Sequence, residues 1–387
     1  MLSKDDRAGA PGAQGSAQAG QGGSAPAPES RWHWLRQVLA KGGPGQVIFA
    51  LTNACNANCG FCNFALERLP RAEWQFAPFA ETVRAIDVLH GLFIRYLIVT
   101  GGEPLLHPRL DNIVAYAHRR GLTVILVTNG SRLTEARCRE LTAAGVSSVV
   151  ISVDAADAKR HEANRQLPGV CEKIHRATRA LRDLGVQATA SVTVSRLVED
   201  EGALLAFLRE LGFDTVTFSY PLTALPSSFR GYAASPLVEF EAEELVGRFE
   251  RIKALKARFA VVNPSAALAD MQQLARGEAQ RFACLGGYRY FYLDWELKIW
   301  RCHHWHEPLG SVFELDESKY VRDGCTRCMV DCFRDASVMQ HVAVSVSDAL
   351  GDLRAGRLFR AFAHLFRRTN VDSLRAVLEN RRWVSRL

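Results

Sequence analysis

The chain has no run of about 18 apolar residues, so no segment of it is expected to cross a bilayer as a helix. Its N-terminus lacks a basic start followed by an apolar stretch, which argues against a secretory signal. A reducing, cytoplasmic setting is therefore expected, and clustered cysteines there more often bind metal than form disulfides. A broad basic face is missing too. The net charge is +7, but residues 351–387 carry nine arginines against Asp352, Asp372 and Glu379, so +6 of it sits in the tail. The remainder is close to neutral, and no nucleic-acid partner is expected. No repeat is visible beyond a simple alternation of strands and helices.

What is present is enough apolar material for a large core: 387 residues, 48% hydrophobic, longer than one ordinary domain. Residues 1–30 are mostly Ala, Gly, Gln, Ser and Pro without periodicity, and read as disordered. From there, strand-length apolar runs recur at 46–52, 96–102, 123–130, 148–154, 188–195 and 214–220. Segments of helical period separate them. Near-continuous Val/Ile runs imply strands buried on both faces, and the alternation implies a parallel sheet. The expected fold is α/β: a partial (β/α)6 TIM-like barrel over 31–262, a small cysteine-rich α+β domain over 263–340, and C-terminal helices over 341–387. Within the second region, "YFYLDWELKIWRC" reads as a hairpin.

The chemistry lies in "NACNANCGFCNF", residues 53–64, where Cys55, Cys59 and Cys62 follow the first strand as C-x3-C-x2-C. Loops at the carboxyl ends of parallel strands form active sites. A structural zinc wants four ligands, and no fourth cysteine is local. Thiolates also hold iron–sulfur clusters, and a [4Fe–4S] cube on three cysteines leaves one iron open. Three further motifs end the next strands: "TGGEP" (Thr100–Pro104), "VTNG" with Asn129, and "SVD" with Ser152 and Asp154. The ordered set, over about 46–220, resembles the radical S-adenosylmethionine (SAM) superfamily. The resemblance implies that the three cysteines hold a [4Fe–4S] cluster, with Phe61 as the aromatic before the last of them. Gly101, Gly102 and Glu103 would hold the SAM amino group, with Asn129 alongside, and Ser152 and Asp154 would reach its ribose or carboxylate. A G-x-I-x-G-x-x-E stretch found in many members is replaced by "SVTVS". Reductive cleavage of SAM to a 5′-deoxyadenosyl radical is the implied chemistry, with flavodoxin or ferredoxin as electron donor. Cys138 and Cys171 fall on helices and read as small buried residues.

Five more cysteines follow the barrel: Cys284, Cys302, Cys325, Cys328 and Cys332. This set resembles the twitch and SPASM extensions of radical SAM enzymes, which implies one auxiliary [4Fe–4S] cluster on Cys284, Cys302 and two of the last three, with Cys332 the expected spare. A zinc knuckle is the alternative. His303, His304 and His306 are expected to line the domain contact. The stretch from Cys325 to Leu350 resembles adenosyl-hopene transferases. In the tail, "RLFRAFAHLFRR" makes a basic amphipathic helix whose apolar face is expected to pack on the barrel, peripheral membrane contact being the alternative. A small-molecule or lipid (terpenoid) substrate is the leading expectation. Maturation of a ribosomal peptide is the second, weakened by having only about 45 residues ahead of the barrel. A non-catalytic metal-binding scaffold is the third.

Overall fold

The computed structural model describes residues 30–222 and 225–381, so nearly all of the segment expected to be disordered lies outside the described residues. A short helix, α1 (Arg31–Lys41), leads into β1 (Gly45–Ala50). This strand is buried along its whole length because its two faces serve two cores. Val47 and Phe49 pack toward the helices, while Ile48 and Ala50 face the concave side of the sheet. Burying a side chain such as Phe49 contributes about 1.5–3 kcal/mol.

Strands β2 (Ile94–Thr100), β3 (Thr123–Thr128), β4 (Ser148–Ser152), β5 (Gln187–Thr193), β6 (Thr215–Ser219) and β7 (Ala260–Val261) follow in chain order, each parallel to the last. Between them run α2 (Phe79–Gly91), α3 (Leu110–Arg119), α4 (Glu135–Ala144), α5 (Ala158–Arg165), α6 (Val170–Asp183), α7 (Glu201–Glu210) and α8 (Ala242–Leu255). Their apolar stripes close the outer core; α6 buries Val170, Cys171, Ile174, Ala177 and Leu181 at helical spacing. Cys138 and Cys171 are both buried there, as expected. Local signals agree with the tertiary fold: Thr134 caps α4, its hydroxyl accepting from Arg137 N at 3.1 Å, and Gly145 ends it at φ 96°.

After α9 (Ser265–Ala275), the expected hairpin forms from β8 (Tyr290–Leu293) and β9 (Lys298–Trp300), followed by β10 (Gly310–Ser311). Strand β8 pairs parallel with the free edge of β1, Gln46 opposite Tyr290 through Phe49 opposite Leu293. The cysteine-rich region thus extends the barrel sheet to ten strands in one order, β10-β9-β8-β1-β2-β3-β4-β5-β6-β7. An unpaired β1 edge would leave its N–H and C=O groups open, and β8 satisfies them.

The rest is helical: α10 (Asp331–Arg354), α11 (Leu358–Leu365) and α12 (Arg368–Glu379). The division expected at 340/341 falls inside α10, since the shift to basic composition there is no helix stop. The first turns of α10 are tied to both sides of the sheet, and the rest of the helix packs against α1, α11 and α12. Tyr220 and Asn263 donate to Asp335 at 2.8 and 2.7 Å, while Gln46 Nε2 donates to Cys332 O at 2.6 Å. The tail departs from expectation. Helix α11 rests on α10 through Ala361 and turns its phenylalanines outward instead of onto the barrel. Among the described residues no helix is long and apolar enough to cross a membrane.

Candidate active site

The loop after β1 is held from every side. Thr52 Oγ1 donates to Gln75 O at 2.6 Å and accepts from Ala54 N at 3.0 Å. From the loop after β2, Gly102 N and Glu103 N donate to Thr52 O and Ala54 O at 2.9 and 2.8 Å. The two glycines are required here. A Cβ on Gly101, at φ 133°, would meet Thr52 O at 2.3 Å, and one on Gly102 would meet Ala54 O at 2.1 Å. Asn129, after β3, donates to Asn56 Oδ1 at 3.0 Å. The end of α5 completes the clasp, with Arg165 O accepting from Asn58 N at 2.9 Å and Asn164 Oδ1 from Gly60 N at 3.4 Å.

Cys55 and Cys59 are buried and Cys62 is half-buried in this loop, beside the buried Phe61. Burial pushes the Cys55 thiol up to about 12 and raises Cys59 and Cys62 as well. Ala57 N already donates to Cys55 Sγ at 3.4 Å. Three soft donors in an apolar wall, with no local fourth cysteine, fit a bound cluster: thiols this basic become thiolates when a metal takes the proton's place. Among the described residues no three His, Cys, Asp or Glu side chains converge as on a single ion; a cube that meets each thiolate at a different iron asks for no such convergence.

Glu103 is fully buried, and burial raises its pKa. Its carboxylate accepts from Asn129 N (2.8 Å), Thr128 Oγ1 (2.7 Å) and Leu105 N (3.0 Å). Of about four acceptor positions on a carboxylate, one is left for a further donor such as an ammonium. Ser152 ends β4 half-buried, with Ser191 of β5 opposite it. Asp154, expected to reach the SAM ribose or carboxylate, has its carboxylate engaged within the protein. Its side chain is sealed, held by Arg165 Nη2 and Nε at 2.7 Å each and by Asn164 Nδ2 at 2.9 Å.

Arg165 is the residue that the motif reading missed. Burial opposes its charge, but Asp154, Cys59 and Cys55 together hold it firmly protonated. Burial likewise works to raise Asp154, yet the guanidinium overrides it and keeps that carboxyl below its usual range. His161, one helical turn before Arg165, accepts from Asp154 N at 3.0 Å, and burial lowers its pKa to about 4. The signal was available: two titratable residues spaced i, i+4 and both turned inward on an otherwise polar helix.

The loop after β6 forms a strap, also unforeseen. Asn63 N and Nδ2 donate to Arg230 O and Tyr232 O at 2.7 and 2.8 Å, and Ala233 N to Phe61 O at 3.0 Å. On its other side, Ser227 Oγ donates to His303 O at 2.6 Å and Ser228 Oγ to Asp294 at 3.0 Å.

The second cysteine set lines the same concave core. Cys284, Cys302, Cys328 and Cys332 pack against it, and Cys325 lies outside it. Cys284 N donates to Cys325 O at 2.8 Å, and Gly286 N to Cys284 Sγ at 3.3 Å. Cys302 and Cys328, raised by burial to about 12 and 11, each lie within the field of Cys284. Cys332 sits on the first turn of α10, half-buried beside Asp331 and Asp335, whose carboxyls burial pushes up to about 6 and about 8. Its carbonyl is tied to Gln46, while the first loop begins at Leu51; five residues of strand span about 16 Å. Tyr232 hangs from the strap between the sets, within reach of both Cys62 and Cys332. Of the three histidines, His304 is exposed and His306 also, whereas His303 is buried and stacked on Phe229 at 3.7 Å with neither ring nitrogen bonded. Most of the hairpin aromatics are core: Trp295 and Trp300 donate to Gln75 and Asp294.

Comparison with known proteins gives this arrangement a family. Residues 49–211 match the model of the radical SAM superfamily. The chain is 28% identical over 286 residues to the AdoMet-dependent heme synthase of Methanosarcina barkeri, covering 70% of this chain and 80% of that one. It is 30% identical over 182 residues to the PqqA peptide cyclase of Streptomyces rochei, covering 46% and 48%. Other curated relatives are likewise matched over less than half of their length. In fold it is similar to Streptococcus suis SuiB bound to S-adenosylmethionine, at TM-score 0.53 and 15% identity over 69% of this chain and 62% of that one. The chain therefore carries a radical SAM domain over residues 49–211, the domain of enzymes that use a [4Fe–4S] cluster and S-adenosylmethionine.

Proposed function

We propose that Cys55, Cys59 and Cys62 hold the SAM-binding cluster, that Cys284, Cys302 and Cys328 with Cys325 hold an auxiliary [4Fe–4S] cluster, and that the substrate is a small-molecule or lipid metabolite. A bound cluster with SAM supplies the one-electron cleavage that yields a 5′-deoxyadenosyl radical. The chain's own residues do the rest. Gly101 and Gly102 let two loops close on each other, and Glu103 keeps one acceptor position for the SAM ammonium. Arg165 places a buried positive charge beside thiolates that would otherwise repel one another. The strap lies across the loop and shuts out water. Cys332, set among Asp331, Asp335 and Tyr232, is the cysteine without a place in the second cluster.

The observation that carries the substrate class is the span of the heme synthase alignment. Its 286 residues cover 70% of this chain, against 46% for the peptide cyclase alignment. A peptide substrate is the second reading, favoured by the sequence similarity to the PqqA peptide cyclase. Anaerobic reconstitution with SAM and a strong reductant tests both. A burst of 5′-deoxyadenosine on adding a small-molecule or lipid extract supports the first reading; a burst only with a peptide fraction rejects it.

A further inference from the structure

Helix α11 is amphipathic in the sense opposite to a packed surface helix. Its inward positions are Ala361 and His364, the latter with Nε2 3.2 Å from Asp352 Oδ2. Its outward positions are Leu358, Phe359, Phe362, Leu365 and, just past its end, Phe366. Phe359 is 94% and Phe366 83% exposed. Helix α12 repeats the pattern: Asn370, Ser373 and Ala376 turn inward, and Val371, Leu374 and Leu378 face out. A stripe of apolar side chains across two successive helices is a surface made for contact.

Charge says with what. Arg357, Arg360, Arg367 and Arg368 flank the phenylalanines. Arg357 is paired with Asp352, while Arg360 and Arg367 have no carboxylate partner among the described residues. Both also line a hollow of about 740 Å³, together with His364, Tyr288 and Arg322; its two carboxylates, Asp348 and Asp352, are taken up by Arg322 and Arg357. Two copies joined through this face would bring like charges together, with only three acidic residues after position 350 to offset them. An anionic surface meets no such repulsion.

We propose that α11 and α12 seat this enzyme on an anionic phospholipid bilayer, the phenylalanines entering the acyl boundary and the arginines meeting lipid phosphates. One apolar helix alone gives marginal binding, and the basic flank supplies the second signal. The attachment is peripheral, reversible and weakened by salt.

The test is flotation of the full-length, cluster-loaded protein with phosphatidylcholine vesicles, with and without phosphatidylglycerol. Binding to the anionic vesicles alone, lost in 0.5 M salt, is expected. Phe359→Ser with Phe366→Ser should weaken it about tenfold or more, and neutralising Arg360→Gln or Arg367→Gln about fivefold each. Both phenylalanines are exposed, so these variants keep the core, and their 5′-deoxyadenosine yield should be unchanged. Equal binding to neutral vesicles, or none to either, overturns the proposal. So does a wild-type dimer by light scattering that the serine variant dissolves. Loss of SAM cleavage bears on the cofactor site alone and leaves this result readable.

Discussion

Replacing Arg165 by Met gives the most direct check on how the cluster loop is held. The substitution keeps most of the side-chain volume and removes the guanidinium that meets Asp154 at 2.7 Å through two nitrogens. Asp154 is then left buried, with the nearby His161 neutral at ordinary pH. Breaking one side of a buried pair costs about 3–5 kcal/mol, a fall of roughly 4–6 °C in melting temperature for a chain of this size. The loss must also depend on pH. In the wild type the carboxyl sits below its usual range and contributes stability above about pH 4, lost only on acidification. Without Arg165, burial outweighs the remaining Asn164 hydrogen bond and raises the folded-state pKa of Asp154 above the unfolded value, so stability falls as pH rises through that range. Arg165→Met should therefore be worse at pH 8.5 than at pH 5.5. The paired change Asp154→Leu/Arg165→Met should recover much of the loss, because no orphaned charge remains. Anaerobic thermal unfolding by circular dichroism at the two pH values reads all three. Melting temperatures within a degree of wild type, a loss indifferent to pH, or strictly additive effects would each refute the buried bridge.

Gly102→Ala puts a methyl 2.1 Å from Ala54 O, so the loop must move; SAM cleavage should fall at least tenfold while the far-UV spectrum is kept. Cys55→Ala, Cys59→Ala or Cys62→Ala should each abolish 5′-deoxyadenosine formation, and retained cleavage in any of them would sink the assignment. Cys284→Ala, Cys302→Ala or Cys328→Ala should lower bound iron from about eight to about four per chain, whereas Cys332→Ala should keep about eight. Asp335, raised by burial to about 8, favours folding only in its protonated form. Wild-type stability should thus decline as pH rises from about 4 through 8, and Asp335→Asn should flatten the decline in melting temperature between pH 6 and 9.

The strands and the order of their motifs were legible because each carries a local signature. Val/Ile runs mark β1 to β6 within two or three residues of their ends, and the glycines of "TGGEP" are forced by a backbone contact that only glycine permits. What escaped was set by partners far away in sequence. From its motif Asp154 reads as a residue reaching the SAM ribose or carboxylate, and only the fold shows Arg165 and Asn164 closing on it. The strap has no periodic pattern, so nothing before the fold ties Tyr232 to Asn63 or Ser227 to His303. Helix α11 has the right period and the opposite orientation. Periodicity reveals that a face is apolar, but which neighbour covers it depends on Ala361 and His364 fitting α10.

The placement of the second cysteine set follows from the direction of one strand pair. Strand β8 runs parallel to β1, so it rises toward the same end at which Cys55, Cys59 and Cys62 emerge. The antiparallel return on β9, with Tyr292 opposite Trp300, then carries the chain back down. Cys302, just past β9, and Cys284, ahead of β8, are therefore both returned to the far end of the strand, where Gln46 also holds the start of α10 through Cys332 O. Had β8 run antiparallel to β1, the same hairpin would have delivered Cys284 and Cys302 beside the first loop, in competition for its space. As built, about one strand length of concave interior separates the two sets, and Tyr232 reaches into it from the strap.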